Sequence, residues 1–152
     1  RFNQEKNYLP LCREYGFALL LPEFREANNG DLAGLKHELA NEKYPGVYWS
    51  ALDWDACYPS GESPEMFFYR IRSAWQKLKT ELLNCPTEEA LLVTHGGVIE
   101  VILCIENGVE FTNKIKRFST PNAKPIPVEI TYEEPTGSTC RFSDRGAGQG
   151  CG

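Results

Sequence analysis

The feature that most constrains the fold is an apolar run that leads straight into a histidine and two glycines. Residues 91–94 read Leu-Leu-Val-Thr, and His95-Gly96-Gly97 follows directly. The length and composition of this run are typical of a buried strand. A second apolar run, over residues 98–105, is too dense for strict alternation and stops at Asn107-Gly108, which is a helix-stop signal. The pattern therefore predicts a strand, a tight glycine turn and a buried helix.

This order of elements places His95 at the carboxyl end of a strand, where open α/β sheets bind their ligands. The two glycines, Gly96 and Gly97, let backbone N–H groups approach an anion at the first turn of the helix. The same tripeptide also fits a histidine that only closes a strand, because short motifs often occur by chance. On these residues alone, both interpretations stay open.

The composition limits the class of protein. A chain of 152 residues with 41% hydrophobic residues suits one domain with a real core. The net charge of −5, without a basic block, gives no indication of a nucleic-acid or membrane partner, and the longest apolar run is too short to span a bilayer. The six cysteines form no Cys-x-x-Cys pair and only two histidines could join them. This pattern disfavours a zinc site and favours a reducing compartment, the cytoplasm.

Helices and strands are predicted on both sides of the central unit. The strongest prediction is a helix that starts at Ser63-Pro64 and ends at Asn84-Cys85-Pro86, because serine is a good N-cap and proline is favoured at the first helical position. The other patterns predict helices over residues 3–15 and 32–40, the second with Asp31 as its N-cap, and strands over residues 17–21 and 126–132.

Two stretches show no regular period. Residues 41–62 hold aromatic side chains among prolines and glycines, so we expect an excursion that either lines a pocket or covers the core. Residues 134–152 are glycine, serine, threonine and charged residues with almost no apolar content, and we expect a disordered tail. The predicted domain therefore spans residues 1–133.

Four short motifs occur in order between residues 15 and 133. They are Phe24-Arg25-Glu26 with the Gly30-Asp31 that follows, Gly61-Glu62-Ser63, Thr94-His95-Gly96-Gly97, and Pro121-Asn122. Each is weak alone, but four in order are specific. Together they resemble the histidine phosphatase superfamily, which has the phosphoglycerate mutase-like fold. The resemblance implies an α/β fold, a three-layer sheet with helices on both faces, with the N-terminal central strand missing from this chain.

The resemblance also implies a mechanism. In the family, a histidine attacks a phosphoryl group in line and becomes phosphohistidine. By resemblance, Glu26 is the general acid that protonates the leaving oxygen and later deprotonates water. His95 contacts the phosphoryl group as a charged donor, and Gly96 adds a backbone N–H. Arg1 stands near the position of a second phosphate-binding arginine. The family chemistry implies no metal or other cofactor.

One departure from the family is decisive for activity. The Arg-His-Gly motif that supplies the nucleophile is absent, since neither His37 nor His95 lies between an arginine and a glycine. We therefore expect a phosphomonoester hydrolase acting on a small phosphorylated substrate, represented by its C-terminal part and inactive as this truncated chain. Mutase activity is the near alternative. The alternative from another class is a non-catalytic remnant that binds a phosphate ligand or a protein. The motifs indicate neither the substrate nor the oligomeric state.

Overall fold

The computed structural model describes residues 20–84 and 89–130. Within these ranges the regular elements are three α-helices and two short 3-10 turns. The helices are α1 (His37–Lys43), α2 (Pro64–Leu83) and α3 (Gly96–Glu106), and the turns span Pro22–Phe24 and Gly30–Leu32. The helix predicted over residues 3–15, the phosphate-binding role predicted for Arg1 and the tail predicted over residues 134–152 all fall outside the described residues.

The long helix α2 begins where the sequence predicts it. Ser63 is the N-cap, and its side-chain oxygen accepts a hydrogen bond of 3.1 Å from the backbone N–H of Met66. Pro64 occupies the first helical position, where its missing N–H costs nothing. The helix ends at Leu83, and Asn84 caps it. The predicted start and end of this helix are thus confirmed.

The helix after the glycine turn is also confirmed. α3 runs from Gly96 to Glu106, and Asn107 caps it as predicted, followed by Gly108 at φ 61°. Its sequence is apolar on most sides because most of its surface is buried. Cys104, predicted as a core residue, is only 1% exposed. No described helix is both long and apolar enough to cross a membrane.

The core lies between α2 and α3. On α2, Phe67, Ile71 and Trp75 recur every four residues and are all buried, so they form one face of the helix. Burying a side chain of this size contributes roughly 1.5–3 kcal/mol. This packing fixes the N-terminus of α3 relative to that of α2. The buried core consists of Phe24, Phe67, Ile71, Trp75, Val98, Val101, Ile102, Cys104 and Phe111.

The predicted three-layer α/β fold is wrong for the described part of the chain, which contains helices and no strand. The run before His95 shows why. Leu91 and Val93 are 82% and 83% exposed, while Leu92 between them packs against the core. Side chains therefore alternate between two sides, but a strand also needs a neighbour that pairs with its backbone. The apolar content predicted a buried strand, and that prediction is wrong both in the burial of Leu91 and Val93 and in the missing neighbour.

The predicted strand over residues 126–132 is wrong for the same reason in its described part, residues 126–130. Val128 and Ile130 pack against the core while Glu129 is exposed, so the alternation is real. No strand forms, and Pro127 has no N–H to donate to a ladder. Of the strand predicted over residues 17–21, only Leu20 and Leu21 are described, and they are not in a strand either.

The short helix predicted over residues 32–40 is displaced towards the C-terminus. α1 begins at His37 with Lys36 as N-cap, so Asp31 does not cap it. Gly34 adopts φ 78°, a left-handed conformation that cannot continue a right-handed helix. Residues 44–62 contain no long element, and Trp49 packs against the core while Tyr48 is 56% exposed. Trp49 lies edge-on to Phe67 with centroids 5.5 Å apart. The excursion therefore covers the core.

Candidate functional site

The carboxylate of Glu26 lies at the N-terminus of α3. Its Oε2 accepts a hydrogen bond of 3.3 Å from the backbone N–H of Gly97, and its Oε1 accepts one of 3.1 Å from the N–H of Ala27. His95 is the N-cap residue of α3, and its side chain makes no capping hydrogen bond. Glu26 and His95, which come from different motifs, therefore meet at the same helix terminus.

Both glycines of the turn make room for a neighbouring side chain. A Cβ on Gly97 would lie 2.6 Å from Oε1 of Glu26, so an alanine there would push the carboxylate away. A Cβ on Gly96 would lie 3.3 Å from the hydroxyl of Thr120. That hydroxyl is 2.7 Å from the ammonium group of Lys116. The glycines thus bring a carboxylate and a hydroxyl up to the first turn of α3.

The electrostatics of this helix terminus favour anions. The first N–H groups of a helix have no partner inside the helix, and the helix dipole adds partial positive charge there. An anion such as phosphate binds such a terminus readily. Here the chain's own Glu26 carboxylate contacts it, and both Glu26 and His95 are exposed to solvent. The start of α3 is therefore a candidate site for an anion.

The residue before His95 connects the turn to the Glu26 segment. The hydroxyl of Thr94 donates a hydrogen bond of 2.6 Å to the backbone carbonyl of Phe24. Phe24 is itself 6% exposed and belongs to the core. The two segments that carry Glu26 and His95 are therefore tied to each other directly as well as through Gly97.

The sequence model of the histidine phosphatase superfamily (branch 1) matches residues 18–141, which is most of the chain and includes all four motifs. The chain belongs to the histidine phosphatase superfamily. Membership places it among phosphatase- and mutase-type proteins whose substrates are small phosphorylated molecules. The match extends beyond residue 133, where the sequence predicts the domain to end. Searches of curated proteins and of solved structures found no match.

Two of the superfamily motifs pack directly against each other. Gly30 adopts φ 53°, and a Cβ there would lie 1.9 Å from the carbonyl oxygen of Pro59. The N–H of Asp31 donates a hydrogen bond of 2.9 Å to the same carbonyl. A Cβ on Gly61 would lie 2.4 Å from the carbonyl oxygen of Asn28. Only glycine fits at either position, and the resulting contact joins the Glu26 loop to the start of α2.

Glu62, in the second motif, comes directly before the N-cap Ser63 and links two segments of the chain. In the structure its side chain is buried, and Oε2 accepts a hydrogen bond of 2.9 Å from the N–H of Asn28. Burial alone raises the pKa of the Glu62 carboxyl. The hydrogen bonds from Arg70 and Asn28 and the charges of Arg70 and Arg25 outweigh it, so the pKa lies below its ordinary value.

Sequence reasoning missed two buried charged residues near the site. Arg70 pairs with Glu62, and Glu100 lies on α3 with 6% exposure. Oε1 of Glu100 accepts hydrogen bonds from the N–H groups of Arg117 and Phe118, while Oε2 contacts no donor among the described residues. Glu100 therefore holds the loop that leads to Thr120. Its signal in the sequence is a lone charge within the apolar run of α3.

The last motif contributes no contact to the helix terminus in the described residues. Pro121 and Asn122 are exposed, and Ala123 adopts φ 54°. Of the predicted site residues, the structure thus brings together Glu26, His95 and Gly96 at the start of α3.

Proposed function

We propose that the N-terminus of α3 binds the phosphoryl group of a small phosphomonoester, and that the site belongs to a phosphomonoester hydrolase acting through phosphohistidine. One observation carries the proposal, namely the Glu26 carboxylate on the N–H of Gly97, two residues after His95. A helix terminus that attracts a carboxylate also offers its N–H groups to phosphate. The same contact puts a proton-transfer group beside the bound phosphoryl oxygens.

Each residue then has a defined task. The N–H group of Gly96 and the side chain of His95 stabilise the charge on the phosphoryl oxygens. Glu26, carrying a proton, gives it to the leaving oxygen as the phosphorus–oxygen bond breaks, and it later takes a proton from the attacking water. The histidine that attacks phosphorus is neither His37 nor His95, because neither stands in an Arg-His-Gly motif.

A second candidate function comes from another class. The contact of the Glu26 carboxylate with the Gly97 N–H also fits a non-catalytic module that binds a phosphate ligand at the same terminus. Both functions require phosphate binding. They differ in activity, because only the hydrolase should turn over a phosphomonoester once a nucleophilic histidine is supplied.

The first experiment measures binding of inorganic phosphate to the 152-residue chain by calorimetry. We expect binding that weakens in His95→Ala. The matched control is Glu23→Gln, an exposed carboxylate in the same segment as Glu26, which should leave affinity unchanged. A chain that folds and does not bind phosphate contradicts both functions.

The second experiment measures turnover of an aryl phosphate. The 152-residue chain should give none through phosphohistidine, whereas a version extended by a family-type N-terminal segment carrying Arg-His-Gly should give turnover. In that version Glu26→Gln should lower kcat by roughly 10²–10⁴-fold, the usual contribution of a general acid. An extended version that folds and stays inactive favours the binding module. Acid-labile phosphate on the 152-residue chain that is lost in His95→Ala would identify His95 as the nucleophile and overturn this assignment.

A further inference from the structure

Arg70 lies on α2, and its side chain contacts the backbone of the Glu26 segment, residues 23–28. Its side chain is only 14% exposed, and its guanidinium carbon lies 5.3 Å from the centroid of the Phe67 ring. A guanidinium has five N–H donors in a rigid planar fork and accepts no hydrogen bond. A buried arginine therefore needs several acceptors, and the identity of those acceptors shows what it holds in place.

The acceptors of Arg70 belong to two segments. Nε and Nη2 donate to the two carboxylate oxygens of Glu62, at 2.7 Å and 2.8 Å. Nη1 donates to the backbone carbonyls of Glu23 and Arg25, the second at 3.1 Å, and Nη2 donates to that of Glu26 at 3.4 Å. One side chain thus binds the backbone carbonyl of Glu26 itself and those of two residues that precede it.

Glu62 completes the same restraint from the other end of the segment. Its carboxylate accepts from the N–H of Asn28 at 2.9 Å, and its own N–H donates to the carbonyl of Asn28 at 2.9 Å. The backbone around Glu26 is therefore held by hydrogen bonds at residues 23, 25, 26 and 28. The Glu26 side chain then moves mainly by rotation about its own χ angles.

We propose that Arg70 is a positioning residue that, with Glu62, holds the Glu26 carboxylate on the N–H of Gly97. Arg70 acts through the Glu26 backbone and not on the phosphoryl group. The catalytic meaning of this restraint rests on the proposed function, because it presents Glu26 as the proton donor. The restraint itself is a statement about geometry and stands without any activity.

The Gly97 amide gives a direct readout of the restraint. In ¹H–¹⁵N spectra of the 152-residue chain, Glu26→Ala removes the acceptor and defines where the Gly97 resonance lies without it. Arg70→Lys keeps the positive charge but cannot reach Glu62 and the three carbonyls together. We expect the Gly97 resonance of Arg70→Lys to move most of the way to its Glu26→Ala position. The matched control is Arg72→Lys, an exposed arginine on the same helix, which should leave it in place.

The proposal is overturned if Arg70→Lys gives a native spectrum with the Gly97 resonance unmoved. A purely stabilising role would lower the melting temperature and leave that resonance where it was. Should Arg70→Lys not fold, Glu62→Gln serves instead, because it keeps the side chain's size and removes the charge that orients Arg70. The same displacement supports the proposal, and an unmoved resonance overturns it. Phosphate binding is measured separately. A folded wild-type chain that does not bind phosphate therefore contradicts the proposed function but not the positioning of Glu26 by Arg70.

Discussion

The two long helices begin in opposite ways. At the start of α2, Ser63 is 1% exposed and its own side chain accepts the hydrogen bond from Met66 N–H. Pro64 then removes one donor altogether. At the start of α3, His95 provides no side-chain cap, and the donors of the first turn belong to two glycines. The carboxylate that meets them comes from Glu26, 71 residues earlier in the chain.

Under the proposed function, this difference separates a structural terminus from one that binds a ligand. A cap supplied by the neighbouring residue satisfies the helix locally and leaves little for a ligand to bind. At the start of α3 the donor of Gly97 is instead met by a solvent-exposed carboxylate from another segment, and the proposal adds a phosphoryl group at the same turn. Mutations at the two termini should therefore affect different quantities.

The largest effect on stability is expected from Glu62→Ala, one residue before the N-cap of α2. Removing one partner of a buried, hydrogen-bonded ion pair costs about 3–5 kcal/mol, because Arg70 is left buried without its carboxylate. Urea denaturation measures the loss. The control is Glu81→Ala, which removes an exposed pair with Lys77 on the same helix and should cost less than about 0.5 kcal/mol. Equal losses would show that the Glu62 contact is no stronger than a surface pair.

A smaller effect is expected on acidification. The pKa of Glu62 is lower in the folded chain than its ordinary value of 4.5, so the unfolded chain takes up a proton first. The contribution of Glu62 to the free energy of unfolding is fully present above pH 4.5 and decreases as the pH falls below that value. The loss is smaller than in Glu62→Ala because a protonated carboxyl still accepts hydrogen bonds. Denaturation midpoints above and below this pH measure it, and Glu62→Gln should remove this part of the dependence.

Ser63→Ala should destabilise the chain by about 1 kcal/mol, the usual cost of losing an N-cap side chain. Thermal or urea unfolding measures it. Ser73→Ala is the control, because Ser73 is exposed within the same helix, where alanine is the better helix former. A loss in Ser73→Ala as large as that in Ser63→Ala would mean that the cap is not what stabilises the start of α2.

The smallest effect on stability is expected from His95→Ala, within about 0.5 kcal/mol, because an exposed N-cap residue without a capping bond is removed. Its affinity for inorganic phosphate should nevertheless fall roughly tenfold or more, in line with the ~1.5–3 kcal/mol of a hydrogen bond to a charged group. If His95→Ala lost stability but kept its affinity for phosphate, the start of α3 would be the structural terminus, and the comparison with the start of α2 would fail.

The sequence by itself determined what depends on neighbouring residues. Ser63-Pro64 and Asn107-Gly108 mark helix ends through contacts within one turn, so they could be located without a structure. His95 was singled out by the paired glycines that follow it, whereas Glu26 was singled out only because its motif resembles that of the superfamily. The displaced start of α1 shows the limit of prediction from neighbouring residues. Gly34 lies within a pattern that predicts a helix, but its left-handed conformation prevents the helix from starting there.

Only the tertiary structure decided what depends on distant partners. Leu91 and Val93 have the composition of a strand, yet a strand exists only where another backbone accepts its hydrogen bonds. Arg70 looks like any charged helix residue, because the carbonyls that it holds are 44 to 47 residues away. Hydrogen bonds across such separations require α2 to pack against residues 23–26, and no local pattern of residue types records which groups that packing brings together.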